Sequence, residues 1–221
     1  MEKLPKDIIV SLALELNLED IVMLCQTTSR FNEKICQNNI FWLNKLIKDY
    51  GLKVSLKEAK KEYLLINKTL KLEPRRILKL GLETENFKMV KAAIDAGADL
   101  NFTIGFMFPI SLSLTLKDNR SIIYLLDKTF ENANEEKIYV IIQNILDILT
   151  SKKYNYGKKC IIFLNFYDIF LPYLSKIVDN NKFKIFWKQS LFKLDEFHKE
   201  GECFNDLFYN KWIEFYKNLA K

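Results

Sequence analysis

From Leu4 to Gly51 the chain carries helix start and stop residues so closely spaced that only a cluster of short helices can satisfy them. Pro5 suits a first helical position, where its missing N–H is not needed. Ile8, Ile9, Leu12 and Leu16 follow at helical spacing and predict one apolar stripe. Asn17 can cap a second helix, with Asp20 favouring its first turn and Ile21, Val22, Leu24 and Cys25 as its apolar residues. Thr27 or Thr28 can cap a third, containing Phe31 and Ile35. Asn38 or Asn39 can cap a fourth, built on Phe41, Trp42, Leu43, Leu46 and Ile47, which Gly51 closes. Leu16, Phe31, Ile35, Trp42 and Leu46 are the expected core. The opening segment Leu4, Pro5, Ile8, Ile9 and Leu12 adds more apolar surface than so few short helices can hide, and such a surplus marks a partner site.

Taken in order, Leu4-Pro5, Leu16-x-Leu18-x-Asp20-Ile21, Leu24-Cys25, Arg30-Phe31-Asn32, Phe41-Trp42 and Leu46 resemble the F-box, ungapped and over the whole module. The F-box is the helical module that docks a protein onto the Skp adaptor of cullin-RING ubiquitin ligases. The resemblance implies that Leu4, Pro5, Ile8, Ile9 and Leu12, with Leu16, Leu18 and Leu24 supporting, enter the hydrophobic groove of a Skp subunit.

The rest of the composition agrees with helices. A chain of 221 residues with six Gly and four Pro has few of the turns an all-β domain needs, and no stretch alternates with period two between turn signals. The net charge of +6 comes from Lys spread among Asp and Glu, which favours a solvated surface over a nucleic-acid patch. Cys25, Cys36, Cys160 and Cys203 lack the clustered spacing of a zinc site, and they read as buried thiols of a reducing compartment. No signal peptide and no membrane-length apolar span is read, so the chain is expected to be soluble and intracellular, cytoplasmic or nuclear, without a membrane partner.

Beyond Gly51, Ser55-x-x-Glu58 predicts a capping box opening a linker helix through about Thr69, within a connector at 52–72. Glu73-Pro74 opens a new unit with a short helix around Arg76–Leu80, broken at Glu85-Asn86, and a second helix from Phe87 to Asp95. The run Ala96-Gly97-Ala98-Asp99-Leu100-Asn101 resembles the end of an ankyrin repeat. Its physical logic is a left-handed Gly97 stopping the helix, a small Ala98 tucked beneath the turn, and Asp99 and Asn101 bonding nearby backbone. Pro109 to Leu114 and Ile122 to Asp127 resemble a degraded second copy. They stand about 32 residues further on, close to the ~33 of that repeat, with Ser111 where a His is usual and Thr129 where Gly is. The repeat-like region is set at 73–134.

Helices are predicted near 135–150, 158–166, 168–178, 182–199 and 204–220, with turns at 154–157 and Gly201. The aromatic residues of this C-terminal region, 135–221, recur at helical spacing and predict a packed core, with a partner groove as the alternative. No phosphate loop, nucleophile elbow or zinc-protease motif is present, and His198, the only histidine, reads as a solvated helical residue. No cofactor and no metal is expected.

The expectation is an all-α protein, an F-box module (1–51) followed by an ankyrin-like solenoid with diverged C-terminal helices. By resemblance it is a non-catalytic, substrate-recruiting subunit of a Skp–cullin–F-box ligase that binds Skp and a target protein. The pairing of F-box with degraded ankyrin repeats in an Asn/Lys/Ile-rich chain resembles proteins of large DNA viruses, which makes the Skp partner a host protein. Asp99, Phe102, Phe106, Met107 and Phe108 are the candidate target contacts, with packing against a neighbouring unit as the alternative for the apolar run. A non-degradative Skp-binding scaffold or competitor shares the first interface. A basic helical nucleic-acid binder ranks last.

Overall fold

The computed structural model describes residues 5–105, 107–131, 134–150, 161–162, 164–177, 210 and 213–214. Among them the protein is all-α. The only β-type pairing is an isolated antiparallel bridge between Ile104 and Met107. The chain divides into two units, Met1–Ala98 and Asp99–Lys221, a division that falls inside the stretch 73–134 expected to form one repeat-like block.

In the first unit, α1 (Lys6–Glu15), α2 (Leu18–Thr27), a single turn α3 (Ser29–Phe31), a π-helical segment (Asn32–Cys36) and α4 (Asn39–Tyr50) follow in quick succession. Their starts are set by side chains. Asn17 Oδ1 accepts the Asp20 N–H at 2.9 Å, Thr28 Oγ1 that of Phe31 at 3.2 Å, and Asn38 Oδ1 that of Ile40 at 3.0 Å. Gly51, at φ 67°, ends α4 in the left-handed conformation, where its N–H reaches the Ile47 carbonyl. Pro5 serves as the residue before α1 rather than its first helical position.

Helix α4 is the axis of this unit. Phe41, Trp42, Lys45, Leu46 and Tyr50 are all buried. Trp42 meets Phe41 edge-on and Tyr63 of α5 (Ala59–Leu72) at 5.4 Å, and its indole N–H donates to the Cys36 carbonyl at 3.0 Å. Lys60 of α5 donates to the same carbonyl and lies over the Trp42 ring. Ser55 and Glu58 do not open α5 as a capping box. The Ser55 hydroxyl donates to the Glu58 carboxylate at 2.7 Å inside a turn, and the helix starts at Ala59, because the pair satisfies itself side chain to side chain.

The sequence reading of Cys25 and Cys36 as buried free thiols is corrected: the two are joined in a disulfide between α2 and the π-helical segment. The π turn places Cys36 against Cys25 with Cα atoms 6.2 Å apart, within the range a disulfide needs. Cysteine usage therefore gives no support to a reducing compartment. Cys160, Cys203, His198, the turns at 154–157 and Gly201, and nearly all of the helices expected at 182–199 and 204–220 lie outside the described residues.

Helices α6 (Pro74–Glu83) and α7 (Phe87–Asp95) form an antiparallel pair, broken where expected by Glu85 at φ 52°. Gly97 at φ 85° ends the pair, Ala98 is buried, and the Asp99 carboxylate accepts the Asn101 N–H at 2.8 Å. Gly81 lets the two helices meet: a Cβ there would lie 2.8 Å from the backbone N of Val90. Asn86 joins this pair to α4. Its Oδ1 caps α7 at Met89 N, and its amide donates to the Tyr50 carbonyl at 2.9 Å. Lys88 adds bonds to the Ile47 and Lys48 carbonyls, so the Lys48 and Tyr50 carbonyls at the end of α4 find donors at the start of α7.

In the second unit, α8 (Pro109–Ser113), α9 (Asn119–Phe130) and α10 (Glu135–Thr150) are followed by a π-helical segment (Phe166–Phe170) and α11 (Leu171–Ile177). α10 runs over the residues expected of it. Asn165 clamps the loop after α8 by donating to the Leu114 and Leu116 carbonyls at 2.8 and 2.9 Å. Phe166 and Phe170 are fully buried, with Phe170 edge-on to Phe130, so these two are core, whereas Tyr139 of α10 is exposed and Tyr173 half-buried.

Substitutions at two positions test these joints by urea titration. Gly81→Ala is expected to destabilise by about 1–3 kcal/mol through forced separation of α6 and α7. Helix propensity alone predicts a gain of ~1 kcal/mol, so the sign decides. Asn86→Asp preserves a cap but sets a carboxylate against the Tyr50 carbonyl. It is expected to lose about 1 kcal/mol, and Asn86→Ala about 2. Wild-type stability in Asn86→Asp would rule out a contribution from the bond to Tyr50.

Candidate partner-binding surface

Successive turns of α1 place Ile8 and Leu12 on one face and Ile9 and Ala13 on another. The second face is buried; Ile9 is 4% exposed. The first looks outward, with Ile8 46% and Leu12 52% exposed and Pro5 exposed beside them. Of the residues expected to meet a partner from α1 and its flanks, Pro5, Ile8 and Leu12 are thus available. Leu16, Leu18 and Leu24 are half-buried, Ile9 is turned inward, and Leu4 lies outside the described residues. Ile9 is a correction to the expected contact set: a stripe drawn from sequence spacing is wider than the face a helix leaves outside.

Polar contacts fix α1 in this orientation. Lys45, buried on α4, donates its ammonium to the Leu14 carbonyl at 2.8 Å, near the C-terminal end of α1 where a cation is favoured. The same ammonium pairs with Asp49 at 2.9 Å. Glu15 of α1 pairs with Lys48, whose hydrogen bond and charge hold the carboxyl below the usual carboxylate range. The position of α1 therefore does not depend on covering Ile8 and Leu12.

Val22, Met23 and Ile40 are also exposed, and sequence reasoning did not single them out. The signal was present: Ile21 to Cys25 is five consecutive apolar residues, more than one helical face can bury.

A polar cleft of about 480 Å³ lies against α4, lined in part by Asn17, Asp49, Tyr63, Asn67, Lys91 and Asp95. Each of its charged groups has a partner, Lys48 in Glu15 and Lys88 in the Ile47 and Lys48 carbonyls. Asp49 accepts from Lys45 and from the Tyr63 hydroxyl at 2.8 Å, and Lys91 pairs with Asp95. Burial, then the Asp49 charge, pushes the Tyr50 phenol up to about 12; burial, then the bond to Asp49, pushes Tyr63 higher still. Among the described residues no three His, Cys, Asp or Glu side chains converge as a metal site requires.

The candidate target contacts divide in the same way. Ile104 and Met107 bridge across a tight turn with Gly105 at φ 68°, which turns Met107 inward to 3% exposure. Met107 is thereby corrected to a packing residue. Asp99, Phe102 and Phe108 are half-buried, Phe108 preceding α8, and Phe106 lies outside the described residues. No described helix is long and apolar enough to cross a membrane. No family model matches this chain, and no curated protein or solved structure matches it either.

The raised tyrosines give a pH test. A phenol whose folded value lies above its unfolded one contributes stability that is whole below about pH 10 and is lost as pH rises through the folded value. Urea midpoints followed from pH 8 upward are expected to fall above pH ~10, by about 1.4 kcal/mol per tyrosine one unit above the unfolded value. Tyr50→Phe is expected to flatten that slope; an unchanged slope would remove Tyr50 from the account.

Proposed function

We propose that this chain is a substrate-recruiting subunit of a Skp–cullin–F-box ubiquitin ligase, with residues 1–51 acting as the F-box. The observation that carries the reading is the outward apolar stripe of Ile8 and Leu12 on a helix held in place by other means. A soluble chain gains nothing from two large aliphatic side chains one turn apart in water unless a partner covers them. The ordered match of the module to the F-box names that partner as a Skp subunit, and the likeness to proteins of large DNA viruses makes it a host protein, met in cytoplasm or nucleus.

Under this reading Pro5, Ile8 and Leu12 enter the Skp groove, together with Leu4, and Leu16, Leu18 and Leu24 support them from below. α6 and α7 would be the first ankyrin-like repeat, α8 and α9 a degraded second, and the repeat region would hold a target protein. The protein holds no reactive group of its own in this scheme. It raises the effective concentration of target lysines near the ubiquitin-charged enzyme. A competitor that occupies Skp without delivering a target shares the same face and differs only in the fate of the target.

The test is a purified binding assay against a eukaryotic Skp subunit with wild type and Ile8→Asp/Leu12→Asp. Both positions are exposed, so the variant is expected to keep its circular dichroism and melting curve. Binding is expected to weaken by about 100-fold or more. Failure of folded wild type to bind would sink the proposal, and equal binding by the variant would move the interface off α1.

A further inference from the structure

Helix α5 is buried on one side through Ala59, Tyr63, Ile66 and Leu70. Its opposite side carries Lys61, Leu64, Leu65, Lys68 and Leu72, five exposed residues at spacings of three, four, seven and eleven. Leu65 is 51% and Leu72 69% exposed. Lys71 stands at the margin, paired with Glu19, but no hydrogen bond or ion pair engages Lys61 or Lys68 among the described residues. Glu62, the one acidic residue of α5, lies about a quarter-turn away and is half-buried. The face is therefore three leucines with unneutralised lysines along their midline.

The geometry points to this face as a docking surface for an acidic helical peptide segment of a protein partner, one that presents apolar side chains at helical spacing flanked by Glu or Asp. Charge complementarity selects that occupant. A second copy docked face to face would bring four lysines into one interface with no acidic residue of either face to pair them. A bilayer surface suits a helix whose apolar face is unbroken, with Lys at its polar edges and aromatic residues inserted. Here Lys68 sits between Leu65 and Leu72, the face carries no aromatic residue, and the far side of the helix is committed to the core. A nucleic acid would leave the three leucines uncovered. An acidic amphipathic helix covers the leucines and pairs the lysines together, a helix-to-helix version of groove recognition. The face shares no residue with the α1 stripe, so it stands whether or not Skp binds there.

The test uses the full chain and a dye-labelled synthetic peptide of about 16 residues, with Leu at positions i, i+4 and i+7 of each turn pair and Glu flanking them. Fluorescence anisotropy is expected to give saturable binding that weakens about tenfold between about 50 and 300 mM NaCl. Leu65→Ser/Leu72→Ser and Lys61→Glu/Lys68→Glu are each expected to weaken it about tenfold or more. Leu72→Ser alone, at the most exposed of these positions, guards against a folding defect and is expected to show a partial loss. A composition-matched peptide without helical phase is expected to bind about tenfold more weakly. Ile8→Asp/Leu12→Asp is expected to bind the peptide as wild type does. No saturable binding, or equal binding by the α5 variants, overturns the proposal. So does sedimentation with phosphatidylserine vesicles, or self-association in light scattering, that the same variants abolish while peptide binding is absent.

Discussion

Asp49 is the acceptor on which the first unit turns. It takes the Lys45 ammonium from its own helix and the Tyr63 hydroxyl from α5, and Lys45 continues the chain of bonds to the Leu14 carbonyl of α1. Three helices are thereby tied through one carboxylate. A buried pair of this kind is weak evidence for stability, since desolvation offsets much of the attraction. Its contribution is directional. An apolar contact between α1 and α4 would tolerate sliding, whereas an ammonium aimed at one carbonyl fixes both the rotation and the height of α1. Which residues of α1 face water follows from that constraint.

The far end of α4 is governed by the same economy of polar groups. Gly51 turns the chain away and itself donates to the Ile47 carbonyl, leaving carbonyls at Lys48 and Tyr50 that need donors. Asn86 and Lys88 supply them, and Asn86 starts α7 with its other side-chain atom. One amide thus ends one helix and begins another. The α6–α7 pair is placed by this polar joint and by the close approach at Gly81, and both belong to the first unit rather than to the second.

What could be read ahead of the structure was whatever depends on neighbours in sequence. The Asn17 cap, the third and fourth caps to within one residue (Thr27 or Thr28, Asn38 or Asn39), the Gly51 and Gly97 stops and the Asp99 turn are local hydrogen-bond problems with few solutions, and α7 and α10 follow from unbroken periodicity. What could not be read depends on neighbours in space. Lys45 has the sequence look of a solvated lysine and is buried because Leu14 and Asp49 converge on it. Ile9 and Ile8 are adjacent and chemically identical, and only the rotation of α1 decides which is inside. The Cys25–Cys36 bond needs a π turn that no residue pattern announced. Met107 was equally at home in an exposed run or a packed one until the bridge to Ile104 turned it.

The exposed apolar faces of α1 and α5 differ in chemistry, and that difference argues against a single partner for both. The described part of the α1 stripe is aliphatic, and α1 itself has no basic residue in its last turn. A groove that accepts it gains from desolvation and is nearly indifferent to salt. The α5 face sets two unneutralised lysines among its leucines, so an apolar groove would strand those charges, and burying them unpaired costs more than three leucines return. Only an anionic partner resolves both demands. Under the proposed adaptor role, holding one protein constantly and another selectively calls for two interfaces with different salt dependence. On α1 and α5 the fold offers two such faces within one unit.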